Sequence, residues 1–124
     1  MGMDLNGAGG YSQWNGKAWC DLLDLGEQYG WKPIGTGPPR GTLKSKWKGD
    51  TPFAAYYSND GALFYARDAR NLADALIKAF DEIPTKPLAG GKKAKTLVES
   101  FASWGRPAIK DFVAFCRKGS FRIF

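Results

Sequence analysis

Apolar residues along this chain recur with helical spacing in four places and alternate or cluster as strands do in about five others. The best-patterned stretch runs from Phe53 to Pro84. Phe53 to Tyr57 is rich in residues that fit a pleated surface. Asn59-Asp60-Gly61 then supplies residues that tolerate positive φ, and Ala62 to Tyr65 returns, which predicts a β-hairpin. A helix is expected next: Ala69, Leu72, Ala73, Leu76, Phe80 and Ile83 form one continuous apolar stripe. Arg70, Asp74 and Lys78 lie off the stripe as i,i+4 partners, and Pro84 stops the helix.

The remaining pattern is shorter in reach. Met1 to Leu5 reads as a short strand, and Asn6 to Tyr11 as a glycine-rich loop. Asn15 is placed to cap a helix running to about Tyr29, with Ala18, Leu22, Leu25 and Tyr29 on its apolar face and Gly30 ending it. Trp31 to Ile34 is expected to be extended, as an edge strand because of Pro33. Residues 35–52 form a long Gly/Pro-rich loop in which Leu43 to Lys48 alternates well enough for a short strand. A third helix is expected from Lys92, carrying Ala94, Leu97, Val98 and Phe101, with Gly105 as its end. Pro107 suits the first turn of a fourth, whose stripe is Ile109, Phe112, Val113 and Cys116. Gly119 closes it, and Ser120 to Phe124 reads as a terminal strand. The fold class that follows is α+β, a single compact domain over residues 1–124. It holds about four helices and a small antiparallel or mixed sheet of short strands.

Composition narrows the function classes. At 124 residues, 44% hydrophobic and 15% aromatic, the chain can bury a core without staples. No apolar run approaches the roughly 18–20 residues of a membrane span, and Met1 to Asn15 lacks the features of a signal peptide. A cytoplasmic location is therefore expected, with no membrane partner, in a bacterium or its phage. Cys20 and Cys116 are expected to be free thiols. The chain has no histidine, which removes Ser-His and Cys-His nucleophile pairs and His-based metal sites. No cofactor or metal is expected.

Charge points to a partner. The net charge is +6 and unevenly distributed: residues 32–48 carry five basic side chains and no acid, and residues 84–124 carry nine against two acids. A basic loop with Arg40, Lys44, Lys46, Trp47 and Lys48 suits a phosphate-bearing aromatic ligand. Lysines supply attraction there, and the indole supplies a stacking face. Arg117 and Arg122, with Lys118, extend such a patch if the last strand lies beside the loop. The Asn6–Tyr11 glycines match neither the dinucleotide fingerprint nor the P-loop, so a plain connection is the default. Were a ligand bound there, Tyr11, Trp14, Asn15 and Lys17 would be its neighbours. Trp14 and Trp47 are the two tryptophans expected nearer the surface. Asp21, Asp24 and Glu27 fall off the first helix's stripe and read as a solvated acidic face.

The Tyr57–Gly61 turn, the Ala-Arg-Asp-Ala-Arg-Asn-Leu-Ala helix start at Ala66 and the Phe-Cys-Arg and Phe-Arg-Ile elements at the end resemble those of small, uncharacterised bacterial single-domain proteins. That resemblance implies no activity and no site. In that pattern a Thr or Ser caps the second helix, where this chain has Tyr65. The functional expectation from the residues is a non-enzymatic binding module for an anionic ligand: a nucleotide, a nucleotide-like signal or nucleic acid. The alternative is an inhibitor or immunity-type protein that binds an acidic protein partner. An enzyme using carboxylates or tyrosine ranks third.

Overall fold

The computed structural model describes residues 2–41, 54–91 and 93–124. The order is β1 (Gly2–Gly7), β2 (Gly10–Asn15), α1 (Gly16–Gln28), β3 (Ala62–Phe64), α2 (Ala66–Phe80), α3 (Leu97–Ser100), α4 (Gly105–Arg117) and β4 (Phe121–Ile123). The four strands form one antiparallel sheet in the order β2-β1-β4-β3, so the fold is α+β. Among the described residues no helix is long and apolar enough to cross a membrane.

One face of the sheet is the core wall. Met3, Leu5, Trp14, Phe64, Phe121 and Ile123 point into it and meet Trp19, Leu22, Leu72, Leu76, Ile109 and Phe112 from the helices. Rings run through this core in a chain. Trp31 meets Tyr56 at 5.5 Å, Tyr56 meets Phe64 at 5.2 Å and Phe64 stacks on Phe121 at 4.6 Å. Phe112 then meets Phe121 edge-on at 6.2 Å and Trp14 at 5.6 Å. Edge-on and offset pairs of this kind add to area burial. Among the described residues no helix packs on the opposite sheet face.

The helices follow the apolar pattern closely. Asn15 caps α1, its side chain accepting from the Ala18 amide at 2.7 Å, and Gly30 follows with φ 105°. Ala69, Leu72, Ala73, Leu76 and Ile83 are buried, and Phe80 is partly so. Tyr65 occupies the N-cap of α2 without a side-chain cap bond. Asp74 pairs with Arg117 of α4 at 3.3 Å in place of its expected neighbours on α2.

Strand pairing departs from expectation in three places. Residues 54–57 form a 3-10 helix, and β3 pairs with β4, so there is no hairpin across Asn59–Gly61. Tyr56 is buried in the core, and β4 arrives from the far end of the chain to pair with β3. The glycine-rich stretch is itself the hairpin, a two-residue turn at Ala8-Gly9 joining β1 to β2. A Cβ on Gly7 would lie 2.2 Å from the Ser120 carbonyl oxygen, so glycine is needed there for β1 to approach β4. Strand β2 escaped the pattern because it is an edge strand with one deeply buried side chain, Trp14. Trp31 to Ile34 is not a strand; the sheet edge is prolonged instead by a bridge between Gly37 and Leu63. The third helix is also shorter than expected, and Gly105 opens α4 in place of ending α3. The reversal falls at Ser103, with φ 65°, and a Cβ on Gly105 would sit 2.4 Å from Phe101 Cβ.

Candidate functional site

The open sheet face carries two rows of side chains set by strand register. Tyr11 on β2, Asn6 on β1, Arg122 on β4 and Leu63 on β3 are successive partners and form the first. Gln13, Asp4 and Phe124 form the second, Asp4 and Phe124 exchanging backbone hydrogen bonds of 2.8 Å each way. Alternation puts these positions outward while Leu5, Phe121 and Ile123 face the core.

Arg122 is the fixed point of this face. Its Nη1 donates to the carbonyls of Pro38 at 3.1 Å and Gly61 at 3.0 Å, which ties β4 to the loop before Arg40 and to the start of β3. Among the described residues its Nη2 and Nε have no partner. Arg40 is exposed and likewise unpaired among them. The two arginines border a cleft of about 710 Å³ whose other walls are Asn6, Gly7, Ala8, Gly10, Leu63, Ser120, Phe121 and Phe124. Among the described residues no acidic side chain lines it. Unpaired guanidinium N–H groups beside backbone and hydroxyl donors are the chemistry that receives a phosphate or carboxylate.

The other sequence-derived candidates scatter. Tyr11 lies on the same sheet face, 58% exposed, and its hydroxyl donates to Asp4 Oδ1 at 2.6 Å. That hydrogen bond pushes the phenol above its ordinary value. Trp14 is 6% exposed and packs edge-on against Phe112, because β2 needs one apolar anchor and Trp14 provides it. Asn15 is committed to capping α1. Lys17 pairs with Asp21 along α1 at 2.9 Å, and Arg117 pairs with Asp74 across α2 and α4. Lys44, Lys46, Trp47 and Lys48 lie outside the described residues. Of the sequence-derived candidates within them, Arg40 and Arg122 share the cleft, with Tyr11 further along the same sheet face.

A second polar cluster is wholly internal. Asp68, in the first turn of α2, is 0% exposed. Its Oδ1 accepts from Trp31 Nε1 at 2.9 Å and its Oδ2 from the Tyr56 hydroxyl, which in turn accepts from the Gly35 amide at 2.9 Å. Burial holds the Asp68 carboxyl above the usual range, against the downward pull of the two side-chain donors. Burial also raises Tyr56 and Cys116, so both keep their protons. Cys20 and Cys116 are free thiols. The signal in the sequence that Asp68 is buried is its place four residues before Leu72, on the apolar side of the helix.

Compared with protein-family models, curated proteins and solved structures, the chain matches none.

Proposed function

We propose that this protein is a non-enzymatic binding module that captures an anionic ligand in the cleft between Arg40 and Arg122. The observation that carries the reading is a cleft with no acid among its described lining residues, around two guanidiniums with donors left over among them. An arginine held by two carbonyls loses little freedom on binding, so its remaining N–H groups are preorganised for an oxyanion. The net charge of +6 favours approach of such a ligand from a distance.

Protein purified from cells should show a raised 260/280 nm ratio. Denaturation should then release a phosphate- or carboxylate-bearing molecule detectable by mass spectrometry. An Arg40→Ala, Arg122→Ala double variant should lose it while remaining folded by circular dichroism. Retention of the same anion by the double variant would move the site elsewhere. Recovery of a stoichiometric acidic protein, with no small anion, would replace this reading by that of an inhibitor.

A further inference from the structure

Resting on the anion-binding reading above, we infer that the open sheet face takes single-stranded nucleic acid, with Arg122 and Arg40 on the backbone phosphates and Tyr11 and Phe124 under the bases. The placement of the aromatic side chains distinguishes this from capture of a lone phosphate. Tyr11 is 58% exposed and Phe124 45% exposed, and register puts both on the face that carries Arg122. The Tyr11 hydroxyl is anchored on Asp4, the backbone partner of Phe124, so the phenol reaches diagonally over β1. Phe124 lies over Gly61, where the missing side chain leaves room for the ring. Both rings are therefore held at the sheet surface.

Strands β2 and β4 flank β1, so two strand spacings, about 9–10 Å in all, separate the backbones that carry the two rings. Rings side by side on one surface cannot clamp a single base between them. They suit successive bases of one strand, as stacking platforms do on single-stranded ligands. Arg122 stands beside Phe124, two residues before it on the same side of β1, so a backbone leading away from a base on that ring would pass its guanidinium. The one acid in the two rows, Asp4, accepts the Tyr11 hydroxyl.

The test is fluorescence anisotropy of the full chain with a labelled oligo(dT) and oligo(U), and with a labelled duplex, unlabelled ATP and inorganic phosphate competing separately. Single-stranded probes should bind, weakening steeply between about 50 and about 200 mM salt. Tyr11→Ala and Phe124→Ala should each lower affinity about tenfold, since stacking is lost without disturbing the core. Circular dichroism of these variants should match the parent, because both side chains are exposed. Equal affinity for the duplex, or full affinity in both aromatic variants with loss only in Arg40→Ala, would overturn this inference and leave anion capture standing. So would ATP or phosphate competing as strongly as the oligonucleotides. Absence of binding to every probe would overturn both.

Discussion

The Trp31–Asp68–Tyr56 cluster and the Arg40–Arg122 cleft are both polar, and they differ in how far the protein satisfies them. In the cluster the carboxylate oxygens have donors and the Tyr56 hydroxyl both donates and accepts. It joins the segment after α1, the 3-10 helix and the start of α2, and its role is architectural. In the cleft, Arg122 satisfies two carbonyls with one edge and keeps donors over, while Arg40 is paired with nothing among the described residues. Buried polar groups must be matched within the chain; groups at an open surface can remain available. Surplus hydrogen-bonding capacity therefore marks the cleft, and its absence marks the cluster.

The comparison breaks most easily at Asp68. Asp68→Ala removes the acceptor that the buried Trp31 indole N–H and Tyr56 hydroxyl share, a loss of roughly 3–5 kcal/mol at about 1–3 kcal/mol per broken buried bond. Urea unfolding measures it, and a loss under about 1 kcal/mol would mean that the cluster does not hold the fold.

The same residue gives a pH response. Its folded carboxyl binds a proton more tightly than the unfolded one, whose ordinary value is 3.8. Wild-type stability relative to Asp68→Asn should therefore be greatest below that value and fall as pH rises through the raised folded value. A difference independent of pH across that window would show that Asp68 titrates alike in both states.

Tyr56→Phe removes the acceptor of the Gly35 amide and one donor to Asp68, at a cost of about 1–3 kcal/mol. Thermal unfolding of this variant should keep two-state form with a lower midpoint. Arg122→Ala releases the Pro38 and Gly61 carbonyls from part-buried hydrogen bonds, so about 1–2 kcal/mol of stability should go. Anion affinity should fall with it. Arg40→Ala is the sharpest contrast: stability should stay within about 0.5 kcal/mol, while affinity drops about tenfold. If Arg40→Ala destabilised the fold as much as Tyr56→Phe, the distinction between a structural cluster and a waiting cleft would collapse.

Much of the helical structure was legible because helices are local. The stripe from Ala69 to Ile83, the Asn15 cap and the Gly30 stop are written within a few residues of where they act. Strand partners were not. Tyr56 and Phe53 share a strand-like composition, yet β3 is completed by β4, nearly sixty residues later in the chain. Trp14 looked peripheral beside its glycines, and its burial depends on Phe112 arriving from α4. Arg40 and Arg122 were each singled out for charge, but their meeting needs the bonds from Arg122 to Pro38 and Gly61.

The order of residues by itself determined the class of fold, the phase of its main helices, the cap and stop of the first and the excess of positive charge, because each depends on neighbours along the chain or on simple counting. Only the tertiary structure decided which strands pair, which tryptophans are inside and which arginines face one another. Those outcomes depend on distant segments competing for the same sheet edge and the same core volume. Short-range periodicity carries no record of who wins that competition.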